Sequence, residues 1–356
     1  MNIRSFEVRC VNVPMPEPHR TASGVVAVSP LVLLTVATDA GVLGHSITFS
    51  YSPAAHKPLG DLMKNLEPLA VGKPLAPAAL SDQMHGRFKL LGTQGRVGMA
   101  LAGIDMALWD AFARAQGLPL HRALGAAARP IKAYGGVGYD GAEGTAKAAE
   151  AWARKGFKGV KAKIGYPTVA EDLAVIRAMR SAVGPGVALM VDYNQSLDPA
   201  EAARRLQVLD GEGLDWIEEP VLAHDYAALQ RLAGVTRTPL QAGENWWGSL
   251  DFRHAFDAGV RGLAMPDAMK SGGVTGWQRI AALAQLHGVA LSSHLWPELS
   301  AQLLCATPTA HWLEHVEWWN PIIRDPLEVR DGVAYASERV GSGVEFDEDA
   351  VQRYLA

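Results

Sequence analysis

Cysteine is nearly absent from this chain: Cys10 and Cys305 are the two in 356 residues. Two thiols cannot form a disulfide framework for a protein of this size, so both are expected to be reduced and buried. No apolar run reaches the roughly 20 residues of a membrane span, so no membrane partner is expected. The opening MNIRSFEVRCVNVPMPEP alternates polar and apolar residues without a continuous apolar stretch. No secretion signal is therefore expected, and the cytoplasm is the expected location. Runs of lysine or arginine are missing too, and the net charge is −4. That balance lacks the basic footprint of a nucleic-acid binder, so no nucleic-acid partner is expected. Low-complexity segments and long linkers are also missing.

What is present is ordinary for a globular protein: 49% hydrophobic and 20% charged residues. The length favours two domains, or one barrel with additions. The first part reads as α+β. Ile3 to Val13 alternates like a strand, and Ser29–Val36 and Val42–Thr48 form a pair joined by a turn at Thr38-Asp39-Ala40-Gly41. Helical stretches follow at Ala55–Ala70, Pro77–Leu91 and Gly98–Ala115.

From about residue 130, short apolar runs alternate with amphipathic stretches. Candidate strands are Ile131–Gly136, Gly159–Ile164, Ala188–Asp192, Asp215–Glu218, Leu240–Glu244, Gly262–Pro266, Val289–His294 and Trp312–Val316. Candidate helices between them include Glu171–Ala182, Ala200–Gly211, Tyr226–Ala233, Ser249–Ala258 and Thr275–His287. Such βα units argue for a parallel sheet, and eight strands fit a β/α barrel. After Trp319 the pattern stops. Leu327–Ala336, with Asp331-Gly332 at its centre, reads as a hairpin, and Asp347 could cap a last helix. This tail is expected to return to the N-terminal domain. The expected division is an α+β capping domain over 1–128, a catalytic barrel over 129–319 and a returning segment over 320–356.

In a β/α barrel the chemistry sits where strands end. Here an ionisable residue falls at one strand end after another: Lys161 and Lys163, Asp192, Glu218, Glu244, Asp267, His294 and Glu314. Any one of them could be a helix cap or a surface charge, but scattered surface charges would not keep that phase. Asp192, Glu218 and Glu244 converging on one mouth would repel each other unless a hard cation sat among them. Oxygen donors alone favour Mg²⁺, or Mn²⁺, over zinc. Lys161 and Lys163 are two apart on a strand and share a face. Each is expected to depress the other's pKa, leaving a lysine suited to act as a base. Asp267 could accept from His294, fixing its tautomer and raising its basicity. One decoy stands out: Gly136-Val137-Gly138-Tyr139-Asp140-Gly141 matches G-x-G-x-x-G. A dinucleotide site wants an acidic residue near the end of the next strand, where this chain has Lys161 and Lys163. The glycines are better read as widening the pocket mouth.

With these residues in hand, the chain resembles the mandelate racemase group of the enolase superfamily. The segments that carry the likeness are Ser29-Pro-Leu-Val-Leu, GIDMALWD (103–110), VKAKIGYP (160–167), MVDYNQSLD (190–198), WIEEP (216–220), GENW (243–246), AMPDAMKSGGVTGW (264–277), SSHL (292–295) and ATPTAHWLE (306–314). The resemblance implies a modified (β/α)7β barrel of the TIM type with an α+β cap built from both termini. It implies Mg²⁺ ligands at Asp192, Glu218 and Glu244, one base at Lys163, and Lys161 neutralising the substrate carboxylate. It further implies that His294 with Asp267 is the second base or acid, that a protonated Glu314 binds the carboxylate, and that Asn194 lies near the metal-bound oxygens. Removing a proton beside a carboxylate by a Lys or His base, with the resulting charge held by metal and donors, is the chemistry such sites perform. A homo-oligomer is expected on the same resemblance.

One departure concerns the first barrel strand. Where mandelate racemases carry a serine near the substrate carboxylate, this chain has Gly136. The capping loops 18–26 and 49–56 are expected to close over a small carboxylate substrate, with Arg20, Tyr51, Val25 and Val26 facing it and Val316 lining the pocket. Arg20 is either a partner for a second anionic group or simply solvated. The expected reaction is racemisation of a mandelate-like 2-hydroxy acid. Its alternative is dehydration of an acid sugar by the same Lys/His core.

Overall fold

The computed structural model describes residues 1–21 and 24–356; of the expected capping loop 18–26, Ala22 and Ser23 lie outside the described residues. The chain opens with an antiparallel sheet of β1 (Ile3–Thr21), β2 (Gly24–Thr38) and β3 (Leu43–Phe49), in that spatial order. The turn joining β2 to β3 is the expected one, with Gly41 at φ 79° and its N–H donating to Thr38 O at 3.1 Å. The expectation of a loop over 18–26 is corrected. β1 and β2 continue as a paired arm, with His19 opposite Val26 and Arg20 opposite Val25. Pro14, Pro16 and Pro18 hid this continuation, because proline withholds the ladder donor. They are tolerated here because β1 is an edge strand, and the register shifts between Pro14 and His19.

Three helices, Pro53–Asn65, Pro77–Arg87 and Arg96–Ala115, complete the N-terminal cap. Eight strands follow: β4 (Ile131–Val137), β5 (Gly159–Lys163), β6 (Ala188–Asp192), β7 (Trp216–Glu218), β8 (Leu240–Ala242), β9 (Leu263–Ala264), β10 (Ala290–Ser293) and β11 (Ala310–His315). All pair in parallel with their neighbours, and β11 pairs back to β4, closing the barrel. Seven helices connect the eight strands, from Gly141–Arg154 to Pro297–Cys305. The fold is thus the expected modified (β/α)7β barrel with a cap. The connecting helices start where the sequence provides caps: Thr168 and Glu171 form a reciprocal capping box, and Asp198 and Asp225 accept from backbone N–H groups of the turns they open. Pro297–Cys305 escaped the sequence reading because all nine residues are buried, leaving no polar face to show a helical period. Among the described residues no helix is long and apolar enough to cross a membrane.

The tail also needs a correction. Its hairpin, β12 (Val329–Arg330) and β13 (Val333–Ala334), forms as expected, with Asp331 and Gly332 both at positive φ. It pairs with barrel strand β4, however, rather than with the capping sheet. The chain after it does reach the cap: Asn12 N–H donates to Tyr354 O at 2.8 Å, and Ser342 N–H donates to Asp110 at 2.6 Å.

Cap and barrel are joined through a buried carboxyl. Asp105, 1% exposed, accepts from Thr275 N–H at 2.9 Å and bonds Thr275 Oγ1 at 2.6 Å. Burial raises its pKa to about 7, although hydrogen bonds from Thr275 and Ser81 pull the other way. An acid whose pKa is higher folded than unfolded holds its proton in the native state first. Its contribution to stability is therefore full below about pH 4 and is lost as the pH rises through about 7. Urea unfolding at pH 5 and pH 8 should show this decline, and Asp105→Asn should flatten it. Asp105→Ala should cost about 2–3 kcal/mol at pH 5, because the Thr275 N–H loses its acceptor.

Candidate active site

Strand geometry gathers the charged residues at one end of the barrel. Lys161 and Lys163 lie on β5, Asp192 ends β6, Glu218 ends β7 and Glu314 lies on β11. Glu244, Asp267 and His294 fall just beyond β8, β9 and β10, and an isolated parallel bridge couples Asp267 to His294. Below them, Tyr134, Met190, Trp216 and Trp312 plug the barrel interior. The charges thus sit on an apolar floor, where electrostatic interactions are strong.

Asp192, Glu218 and Glu244 each offer an oxygen within 4.8 Å of the others. Glu218 accepts from Lys161 Nζ at 2.8 Å, from Trp216 Nε1 at 3.1 Å and from Gln241 Nε2 at 3.2 Å. Burial still pushes its pKa well above the usual carboxylate range, despite Lys161. Asp192 accepts from Lys163 Nζ at 2.5 Å and from the Asn194 backbone and side chain at 2.7 and 3.0 Å. Burial also opposes ionisation of Glu244, but His294, Lys163, Lys161 and Lys270 outweigh it and hold its pKa below the ordinary value. Glu244 Oε2 is buried without a hydrogen-bond donor, facing His294 Nε2 at 3.3 Å. Three converging hard oxygen ligands, one of them left without a donor, fit Mg²⁺ or Mn²⁺.

The two lysines behave differently from expectation. Burial and Lys161 push the Lys163 pKa down, but Asp192, reinforced by Glu244 and Glu218, raises it overall. The expected depression of Lys163 by Lys161 is present, but the carboxylates around both ammonium groups outweigh it. Lys161 is likewise raised: burial disfavours its charge, and Glu218 and Glu314 more than restore it. For Glu314, expected to be protonated, the neighbouring cations favour the carboxylate form. Burial raises its pKa, but Lys161 at 3.0 Å, then His294 and Lys163, bring it to about 2.

His294 Nδ1 meets Asp267 Oδ2 at 2.6 Å, so Nε2 is the nitrogen left facing the cavity side, near Glu244 and Glu314. Asp267 is itself fixed by Trp296 Nε1 at 3.0 Å and Met269 N–H at 2.7 Å. Burial lowers the His294 pKa, but Glu244 and Asp267 raise it overall.

A cavity of about 710 Å³ is lined by Lys161, Lys163, His294, Glu314 and Val316, together with His19 and Arg20 of the arm. The Arg20 side chain is 58% exposed, with its Nε 3.4 Å from Asp140. Among the described residues, Asn194, Val26 and Tyr51 do not line this cavity. Asn194 sits beside Asp192, Val26 pairs with His19 on the arm, and Tyr51 packs tilted against Phe49 with ring centres 4.7 Å apart. Trp318 joins the cap to the barrel, with its ring 5.0 Å from His19 and 5.7 Å from Phe49. Of the glycines in the G-x-G-x-x-G stretch, space requires only Gly138, while Gly141 lies at φ 66°. A Cβ at Gly136 would meet nothing within 4 Å, whereas one at Gly138 would strike the Arg20 backbone at 2.9 Å.

The sequence reading missed Glu219, Asn245 and Lys270. Asn245 Nδ2 donates to both oxygens of Glu219, at 2.8 and 3.1 Å, and to Glu244 at 3.0 Å. These residues lie inside the segments WIEEP, GENW and AMPDAMKSGG, but no pattern in a sequence tells which residues of three separate loops touch.

Fold and site together define a capped β/α barrel with a divalent-cation cluster at the strand ends. Residues 4–125 match the mandelate racemase/muconate lactonizing enzyme N-terminal domain, and residues 144–350 match the enolase C-terminal domain-like family. The chain belongs to the enolase superfamily, in the mandelate racemase/muconate lactonizing enzyme group. It is similar to an enolase from Bradyrhizobium crystallised with magnesium and mandelic acid, at 43% identity and a TM-score of 0.96, covering 100% of this chain and 98% of that one. It is 35% identical over 263 residues to the L-talarate/galactarate dehydratase of Salmonella typhimurium, covering 73% of this chain and 66% of that protein. It is 30% identical to the L-Ala-D/L-Glu epimerase of Bacillus subtilis, covering 81% and 79%.

A cation bound by the folded chain alone must stabilise it. At Mg²⁺ one hundred times its dissociation constant, the unfolding free energy should rise by about 2.7 kcal/mol. Glu244→Gln should remove most of that gain, as read from thermal midpoints with and without Mg²⁺.

Proposed function

We propose that the protein abstracts the α-proton of a 2-hydroxy carboxylate and returns a proton to the opposite face, racemising a mandelate-like acid. The observation that carries this reading is the placement of two unlike proton carriers in one cavity. Lys163 is held on Asp192, His294 is held on Asp267, and their strands stand three steps apart around the ring of eight. A substrate carbon between them can lose a proton to one and gain it from the other.

The remaining roles follow from charge. Asp192, Glu218 and Glu244 would hold Mg²⁺, which lowers the acidity barrier at the α-carbon by polarising the substrate carboxylate. Lys161, buried at 2%, supplies a fixed positive charge where the second negative charge develops. An anionic substrate near Lys161 competes with Glu314 for that ammonium. It thereby raises the proton affinity of Glu314, which can then donate to the carboxylate. Asn194 keeps Asp192 oriented. Val316 and Leu295 give the cavity apolar wall for a distal group, and Arg20 and His19 close it from the cap. The Bradyrhizobium structure with mandelic acid supports this substrate class.

Dehydration of an acid sugar is the second reading, favoured by the likeness to the Salmonella dehydratase. It uses Lys163 as base and protonated His294 to expel a β-hydroxyl.

Proton NMR in D₂O with Mg²⁺ tests both. Racemisation predicts that each enantiomer of a 2-hydroxy acid loses its α-proton signal with the skeleton intact. Lys163→Ala and His294→Asn should each lower racemisation by about 10²–10⁴-fold or more, while each keeps exchange of the enantiomer that faces the surviving base. A 3-deoxy-2-keto acid would establish dehydration instead. No exchange with any 2-hydroxy acid or acid sugar would remove both readings.

A further inference from the structure

Lys270 has no role in the chemistry above, yet it touches both halves of the site. It lies in the turn after β9, where its backbone N–H donates to Asp267 at 3.2 Å and its carbonyl accepts from Gly248 at 3.0 Å. Its ammonium, on a residue 9% exposed, donates to Asn245 Oδ1 at 2.7 Å. The same ammonium stands 5.0 Å from the centre of the Tyr51 ring, which belongs to the cap.

The amide of Asn245 explains what this achieves. Lys270 engages the amide oxygen, so only the NH₂ group is left to face the carboxylates. That NH₂ reaches Glu219 and Glu244 Oε1, leaving Glu244 Oε2 buried and without a donor. A flipped amide would turn its oxygen on two carboxylates and its NH₂ on an ammonium, and both contacts are repulsive. Lys270 therefore decides which way Asn245 points, and Asn245 decides how Glu244 is held. Tyr51, at φ 58°, occupies a backbone region that costs a non-glycine residue roughly 1 kcal/mol or more, so its contacts with Phe49 and Lys270 must hold it there.

We propose that Lys270 is a positioning residue: through Asn245 it fixes Glu244 and so sets the affinity of the carboxylate cluster for a divalent cation, and through Tyr51 it makes that affinity depend on the cap. The proposal rests on the reading that Asp192, Glu218 and Glu244 hold that cation. Its sign separates it from plain electrostatics. As a bare charge Lys270 repels a cation, so removing it would tighten binding. As a positioning group, its removal loosens binding.

Calorimetric titration of Mg²⁺ into the full chain tests this without reference to turnover. Lys270→Met should weaken Mg²⁺ binding about 10- to 100-fold, the scale on which groups behind metal ligands act, and Lys270→Arg should recover most of the loss. Tyr51→Leu should weaken binding several-fold in the wild-type background and add nothing in Lys270→Met, a coupling that a double-mutant cycle measures. Equal or tighter binding by Lys270→Met overturns the proposal, and so does a Tyr51→Leu effect that simply adds. If Lys270→Met does not fold, Tyr51→Leu stands alone, and unchanged affinity there overturns the link to the cap. Wild-type protein that binds no Mg²⁺ would overturn the reading of the cluster, and the proposal with it. Wild-type binding with Lys270→Met unchanged would overturn the proposal alone.

Discussion

Six carboxylates, Asp192, Glu218, Glu219, Glu244, Asp267 and Glu314, are buried around one barrel mouth. Three ammonium groups, from Lys161, Lys163 and Lys270, stand among them. Six less three leaves three negative charges, or two when His294 is protonated. Burying an unpaired charge costs several kcal/mol even after relaxation, so without a counter-charge ionisation of the group is resisted, as the raised pKa values of Glu218 and Glu219 reflect. A divalent cation offsets the excess. Burial and this excess together set the pKa directions in the site. The lysines are raised, and Glu218 carries the burden of its neighbours. Glu244 and Glu314 favour the carboxylate form because cations lie nearest to them.

That charge set depends on the layer below it. Tyr134, Met190, Trp216 and Trp312 fill the barrel and keep water from entering beneath the carboxylates. Trp216 does both jobs, since its ring is fully buried while its Nε1 donates to Glu218. The floor therefore strengthens every charge interaction above it and orients one of the carboxylates directly.

The strand ends were legible because a parallel barrel repeats, and seven of the eight, all but β4, carried an ionisable residue at the same phase. The cation cluster followed, since like charges brought to one mouth need a counter-charge. Other features left no local trace. Pro297–Cys305 is buried on every side and so has no amphipathic signature. The arm of β1 was hidden by prolines that only an edge strand tolerates. The protonation of Glu314 and Lys163 depends on distances to residues on other strands, and a sequence read strand by strand cannot supply them. Asn245 and Lys270 sit within segments that were quoted for their neighbours, and their partnership exists only once three loops meet.

Gly136 ties the barrel to the question of substrate. A serine there would offer a hydroxyl toward the substrate carboxylate, while glycine offers none. A Cβ at this position would meet no atom within 4 Å, so no protein group has moved in to replace it. The Gly136 carbonyl accepts from Trp152 Nε1 at 3.0 Å and, as an acceptor, cannot donate to a carboxylate in its place. On the proposed reading, the substrate carboxylate would be left to the cation, Lys161 and Glu314, with one neutral hydrogen bond of about 1 kcal/mol fewer. The space gained joins the cavity on the side where the arm carries His19 and Arg20. On that reading, selectivity would come less from gripping the carboxylate and more from what the arm and Trp318 accept at the far end of the substrate.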